Sequence, residues 1–284
     1  MIAITGATGQ LGRLVIAELL RSVPANELVA VARTPDKAAD LAALGLQVRR
    51  GDYALPETLA DAFAGVDKLL LISSSEVGQR VAQHANAIAA AKSAGVKLLA
   101  YTSILHADVT PLGLGGEHRQ TEALLAQSGL PFVLLRNGWY TENYAASIPA
   151  ALTYGVLLGS AGEGHIASAA RADYAAAAAA VLLAEGQAGK VYELAGDASY
   201  TLSEFAAEIA KQSGKPVAYQ DMGPADFAAA LKKAGLPEGL ADLLADSDAG
   251  ASQGGLFDDS RTLSTLIGRP TTPMSEVVRK ALAV

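Results

Sequence analysis

Cysteine is absent from the 284 residues. That excludes disulfides, a thiol nucleophile and thiolate metal ligands. Histidine is scarce: His84, His106, His118 and His165 are scattered without ligand spacing, so no metal site is expected. Positive charge is short as well. Lys and Arg number 22 against 29 Asp and Glu, a formal net charge of −7, and no block of like charge stands out. A nucleic-acid partner requires a basic face and is not expected. Long apolar runs are also missing. The longest, Ala175 to Ala184, is mostly alanine, and it falls short of the roughly 20 residues that span a bilayer. The first strand begins at residue 2 with no basic leader before it, so no secretory signal is expected. Together these absences lead us to expect a cytoplasmic chain with no membrane insertion and no nucleic-acid partner. What is present is globular: 51% hydrophobic and 18% charged, enough for one large α/β domain or a large one and a small one.

The most informative stretch is the start. Met1 to Ile4 is apolar, Thr5-Gly6-Ala7-Thr8-Gly9-Gln10-Leu11-Gly12 follows, and an apolar helix pattern begins at Arg13. Glycines at 6, 9 and 12 form a G-x-x-G-x-x-G turn between a buried strand and a helix, the context of a dinucleotide site. Gly6 and Gly9 can turn sharply and let a pyrophosphate approach the backbone. Gly12 lets the helix close on the sheet. The plain alternative is a tight turn with no ligand. The next strand, Leu28 to Ala32, ends in Arg33. An acid there would accept from the ribose 2′-hydroxyl of NAD. Arg33 offers instead a fork of donors for the 2′-phosphate of NADP. Asp36 is close by but lies past Pro35 and starts the next helix.

Strand and helix signals alternate up to about residue 138. Helices are predicted over 35–44, 56–64, 79–94 and 117–127, and strands over 46–50, 67–72, 97–103 and 131–135. Near-continuous apolar strands between helices specify a doubly wound, parallel Rossmann sheet covered on both faces. Beyond 138 the pattern turns mostly helical, with an alanine-rich helix over 172–184. Short strands are read at 189–194 and 217–220. Thr201-Leu202-Ser203-Glu204 is a capping box opening a helix. Helices are read over 226–233 and 239–246, and 250–255 reads as a small-residue loop. The expected organisation is a dinucleotide-binding domain over 1–138 and a smaller substrate domain over 139–284, with some segments returning to the main sheet.

Ligands of such sheets collect at the carboxyl ends of the strands. That rule selects Arg33, Asp52, the serines 73–75, residues 101–103 and residues 136–140. Asp52 is a candidate for the adenine amine, or an ordinary turn residue. The segment Arg136 to Tyr144 holds the sole tryptophan, Trp139, beside Tyr140 and Tyr144. Flat aromatic walls suit a planar ring stacked on a nicotinamide, with packing between domains as the alternative. Arg171 opens the alanine-rich helix and can reach a phosphate or pair with Asp173. His118 is the best candidate for a hydrogen-bond or proton donor to a substrate oxygen.

These segments together carry a resemblance. T-G-A-T-G-Q-L-G at the start, Arg33, L-L-L-I-S-S-S-E-V-G-Q-R from Leu69, A-Y-T-S-I-L-H-A-D from Ala100, L-R-N-G-W-Y-T-E-N-Y from Leu135, R-A-D-Y from Arg171 and A-S-Q-G-G-L-F-D-D-S from Ala251 span nearly the whole chain. The chain resembles the flavin-free, second type of NAD(P)H:quinone oxidoreductase, in the NmrA-like branch of the atypical short-chain dehydrogenases/reductases. The resemblance implies NADPH, with NADH weaker, no flavin and no metal. It implies a coenzyme held by Gly6, Ala7, Thr8, Gly9, Gln10 and Leu11 with Gly12 behind them, by Arg33, and by Ser73, Ser74 and Ser75. Asn137, Gly138, Trp139, Tyr140, Thr141, Glu142 and Arg171 complete that set. A quinone is implied as the substrate, in a cleft between the domains shaped by residues that include Asn143 and Tyr144. Triphenylmethane dye reductases are similar over the same span and match less well around Ser73 and Trp139. A homodimer is compatible with the sequence.

One departure from the wider superfamily matters. Its members pair a tyrosine with a lysine four residues on, and here Leu105 stands four residues after Tyr101. Alcohol oxidation is therefore disfavoured. Quinone reduction tolerates the loss, because the ring accepts a hydride readily and its oxygen needs only a hydrogen bond or a water. The competing reading is a dinucleotide-binding redox sensor of the NmrA type, which also lacks the pair. A reductase of dyes or other conjugated acceptors is a third.

Overall fold

The computed structural model describes residues 1–283. In chain order its elements are β1 (Ile2–Ile4), α1 (Gln10–Leu19), β2 (Leu28–Ala32), α2 (Ala39–Ala43), β3 (Gln47–Arg50), α3 (Glu57–Phe63), β4 (Lys68–Leu71), α4 (Arg80–Ser93), β5 (Leu98–Ile104), α5 (Gly115–Ser128) and β6 (Phe132–Asn137). There follow α6 (Thr141–Ala145), α7 (Ile148–Tyr154), β7 (Val156–Gly159), α8 (Arg171–Leu183), β8 (Val191–Leu194), α9 (Leu202–Ser213), β9 (Ala218–Asp221), α10 (Pro224–Lys233), α11 (Glu238–Ser252), α12 (Thr262–Ile267) and α13 (Met274–Leu282).

Seven strands form one sheet in the order β3-β2-β1-β4-β5-β6-β8, and β7 pairs with β9 in a second, two-stranded sheet. The pairings from β3 through β6 are parallel, with Ile2 opposite both Leu28 and Lys68. This is the Rossmann order, and the direction of winding reverses between β1 and β4. The strands are short, and the inner ones, β2, β4 and β5, are buried along almost their whole length, while β3 at the edge is not. Val29, Val31, Leu69, Leu71, Leu99 and Tyr101 turn one face toward Leu59, Phe63, Ile88 and Leu125 from α3, α4 and α5. The other face is covered by α1 and α8, which pack against each other. Ala175, Ala177, Ala178 and Ala179 are buried in α8. Small side chains on this strong helix former let the helix lie close to its neighbours.

The chain separates into two compact units built from alternating segments. The first comprises 1–104, 117–137 and 171–192; the second comprises 105–116, 138–170 and 193–283 of the described residues. The sequence reading expects a passage near residue 138, with some segments returning to the main sheet. The chain crosses between the units at Asn137–Gly138, and it also leaves the first unit after Ile104 and returns to it with α5 and α8.

In the second unit α10 packs on α11, and α13 lies against α9, α6 and α7. The expected capping box is complete. Glu204 N–H donates to Thr201 Oγ1 at 3.2 Å, and the Glu204 carboxylate accepts from Thr201 N–H at 2.8 Å. One expectation is corrected here. Residues 250–252 continue α11 instead of starting a loop. Gly250 is a packing position: a Cβ there would sit 2.9 Å from the Leu112 side chain. No helix among the described residues is long and apolar enough to cross a membrane.

Phe63 is fully buried between α3 and the sheet. Phe63→Ala is expected to lower the stability of the first unit by about 3–5 kcal/mol. Urea unfolding followed by circular dichroism checks this, and an unchanged midpoint would contradict the packing described.

Candidate functional site

The carboxyl ends of β1 to β4 open onto a cavity of about 580 Å³ within the first unit. Thr5, Gly6, Thr8 and Gly9 line one part of it. Arg33, Thr34 and Lys37 line another, with Gly51, Asp52 and Tyr53 beyond, and residues 72–76 close it. It therefore lies at the reversal of strand order, where the fold places ligands.

The glycine turn is built for close approach. Gly6 sits at φ +58°, a left-handed conformation that suits glycine. Gly9 N–H donates to Gly6 O at 2.9 Å, and the first helical bond runs from Arg13 N–H to Gly9 O at 3.0 Å. A Cβ on Gly12 would lie 2.4 Å from Gly6 O and 2.9 Å from the Ala7 Cα, so only glycine lets α1 start here. No side chain caps α1, and its first turn holds no acid. The first amides of any helix lack intrahelical acceptors, and those of α1 follow directly on a cavity-lining turn. Backbone donors, a positive helix end and no competing carboxylate fit a dinucleotide pyrophosphate.

The opposite wall is the segment after β4, held by buried side chains. Ile72 N–H donates to Thr5 Oγ1 at 3.0 Å and Ser73 N–H to Thr102 Oγ1 at 2.8 Å. Ser74 N–H donates to His84 Nε2 at 2.9 Å. Nε2 is thus the acceptor, so the His84 proton sits on Nδ1 and goes to Thr121 Oγ1 at 3.0 Å; Thr121 in turn donates to Glu117 O at 2.9 Å. The buried Arg80 donates from Nε to Ser74 O at 2.8 Å and pairs with Glu117 at 3.3 Å. His84 did not stand out in the sequence, Thr102 was selected only within the strand end 101–103 and Arg80 only as the last residue of the segment from Leu69, and none of them was read as holding the serines. Their signal is weak because each lies well away from the serines it holds.

Arg33 stands at the groove's edge, with Nη1 2.6 Å from Glu76 Oε1. Asp52 lines the groove and closes its own turn, accepting from Ala54 N–H at 2.9 Å. His118 is 5% exposed. Its Nδ1 shares a 2.8 Å hydrogen bond with the Tyr101 hydroxyl. Burial, then the charge of Arg80, pushes the imidazoles of both His118 and His84 down to about 3. Both are neutral near pH 7. Asn137, at the end of β6, is buried with its Oδ1 lacking a partner among the described residues.

The remaining expected residues lie in the second unit, apart from Arg171, which opens α8 in the first. Trp139 O accepts from Ala169 N–H at 3.1 Å, and Thr141 N–H donates to Ala169 O at 3.0 Å. Thr141 Oγ1 meets Ser168 Oγ at 2.8 Å. The Tyr144 hydroxyl donates to Asp248 Oδ1 at 3.0 Å, and Asp248 Oδ2 accepts from Ser160 N–H at 3.0 Å. Burial pushes the Asp248 carboxyl up to about 6. Glu142 and Asn143 fall in the short helix α6. Among the described residues no cluster of metal-ligating side chains is found.

Fold and groove define an α/β dinucleotide-binding protein of the Rossmann class. Residues 6–185 match the family described as NAD(P)H-binding. The chain is 65% identical to quinone oxidoreductase 2 of Escherichia coli, over 98% of this chain and 97% of that one. A crystal structure of an NADPH-dependent quinone oxidoreductase from Escherichia coli, complexed with NADPH, superposes with a TM-score of 0.97 at 64% identity, covering 99% of this chain and 100% of the other. The triphenylmethane reductase of a Citrobacter species, complexed with NADP(H), superposes at 0.95 with 39% identity, covering 99% and 100%. The chain belongs to the NAD(P)H-binding family, and within it to the group of quinone oxidoreductases that holds the Escherichia coli protein.

The folded-state value of each buried histidine lies below its ordinary one. Their contribution to stability is therefore complete above about pH 6.5 and is lost as pH falls toward 3. Nitrogen-15 NMR of the imidazoles is expected to show His84 and His118 neutral at pH 5. An ordinary titration near 6.5 in either would contradict the burial.

Proposed function

We propose that this protein reduces quinones by two electrons at the expense of NADPH, by direct hydride transfer and without a flavin. The observation that carries this reading is the groove at the strand-order reversal, with the glycine turn and Arg33 on its walls. The relatives named above support it from outside the chain.

Bound NADPH supplies a hydride from its nicotinamide ring. The chain's part is to hold and orient. The turn from Gly6 to Leu11 would take the pyrophosphate on those of its amides not spent within the fold, as Gly9 N–H is spent on Gly6 O and Ala7 N–H on Val31 O, with Gly12 keeping α1 close behind them. Arg33 would take the 2′-phosphate as a charge-assisted, forked pair. Ser73, Ser74 and Ser75 would bound the ribose side, and their rigidity comes from His84, Arg80 and Thr102. Asn137 offers an unpartnered acceptor to an amide or hydroxyl donor. Gly138 to Glu142 and Arg171 belong to the same coenzyme assignment, and Asn143 and Tyr144 to the quinone.

No tyrosine–lysine acid is required. The reduced quinone oxygen needs a hydrogen bond and then a proton. His118 is assigned the first task only. A neutral imidazole offers an N–H, while one depressed to about 3 is not a proton reservoir at neutral pH. The proton itself is assigned to water. The second acceptor class is a conjugated dye, favoured by the 39% identity to the triphenylmethane reductase.

Steady-state oxidation of NADPH with a series of benzoquinones and naphthoquinones tests the activity. Turnover with quinones, and no flavin absorbance near 450 nm in the purified protein, is the expected result. Tight NADPH binding without turnover would contradict it. In the same assay Arg33→Ala is expected to raise the KM for NADPH about tenfold while leaving that for NADH within about twofold. Equal effects on the two would remove the 2′-phosphate assignment.

A further inference from the structure

A carboxylate stands at the groove's 2′ end, although none is present where the fold usually carries it. In NAD-binding members of this fold the acid that accepts the ribose 2′-hydroxyl closes β2. That position is Arg33 here. Glu76 reaches the same place from the segment after β4, with its Oε1 2.6 Å from Arg33 Nη1.

Glu76 is placed, not loose. Its Oε2 accepts from Gln83 Nε2 at 2.7 Å, and its backbone N–H donates to Ser74 Oγ at 3.2 Å. Gln83 lies in the first turn of α4, is 6% exposed and lines the same cavity as Arg33 and Glu76. With Nε2 committed to the carboxylate, Gln83 Oε1 has no partner among the described residues. A buried amide spent on aiming one carboxylate oxygen is a costly arrangement unless the groove's ligand uses it. Arg33 is 65% exposed and Glu76 43%. A pair that open to water is weak and separates readily.

We propose that Glu76, held by Gln83, is a second coenzyme-specificity residue acting against Arg33. With NADH, Glu76 accepts from the 2′-hydroxyl while Arg33 stays paired to it. With NADPH, the 2′-phosphate must take the guanidinium from Glu76 and lie beside a carboxylate of its own sign. Glu76 thus weakens NADPH and strengthens NADH, so both reduced coenzymes remain usable. The inference rests on the coenzyme assignment under Proposed function.

Calorimetric titration of the full chain with NADPH and with NADH tests it, without dependence on turnover. Glu76→Gln keeps the size and the hydrogen bond to Gln83. It is expected to tighten NADPH about threefold and weaken NADH about threefold, moving the ratio of the two Kd values by about tenfold. Gln83→Leu, which releases the carboxylate, is expected to move the ratio in the same direction by a smaller factor. A ratio left unchanged by Glu76→Gln, or moved the other way, overturns the inference alone. A parent chain that binds neither nucleotide would instead strike the coenzyme assignment beneath it.

Discussion

The contact between Gly12 and the Gly6 carbonyl is the constraint on which the rest depends. A methyl group at residue 12 would lie 2.4 Å from that oxygen. Removing it lets α1 begin against the end of β1, so the helix's first amides follow directly on the cavity's lining turn. Those donors are useful only where water is limited and no acid competes, and the first turn of α1 carries no acid. The glycine spacing is thus a statement about how near a helix can stand to a sheet, and through that about what the loop can bind.

The opposite wall is made rigid by other means. While the neighbouring β5 continues to Ile104, the backbone after β4 leaves the sheet. Its N–H groups are instead taken by Thr5 just past β1, Thr102 of β5 and His84 of α4. Burying such donors unpaired would cost about 1–3 kcal/mol each. The histidine can serve only while neutral, since its acceptor nitrogen faces an N–H. Burial secures that neutrality by pushing its titration far down. The structural chemistry of the layer and the stiffness of the groove are therefore one property.

Much of this was legible in residue order. Most strands of the sheet are apolar runs with glycine or proline near their ends, and short-range pattern finds them; β3, Gln47–Arg50, is not such a run. Gly6, Gly9, Gly12 and Arg33 sit within one strand-helix-strand unit, where spacing carries meaning. Glu76 and Gln83 were not legible. Nothing local says that a glutamate seven residues before a glutamine will face an arginine 43 residues earlier; only the parallel pairing of β1 with β2 and β4 brings them together. The second unit was read least well. Gly250 looked like a loop residue because glycine usually marks one, yet it lies inside α11 to make room for Leu112. That some segments return to the main sheet was read, but not which ones, since that is decided by which helices cover the sheet and leaves no mark in composition.

The central claim is that the turn after β1 receives the coenzyme's diphosphate. Two-dimensional amide NMR during an NADPH titration tests it most directly. The account predicts that the resonances of Gly9, Gln10, Leu11 and Gly12 shift together and saturate at one equivalent. Saturable binding that leaves those four unmoved, or no binding at all, would contradict it.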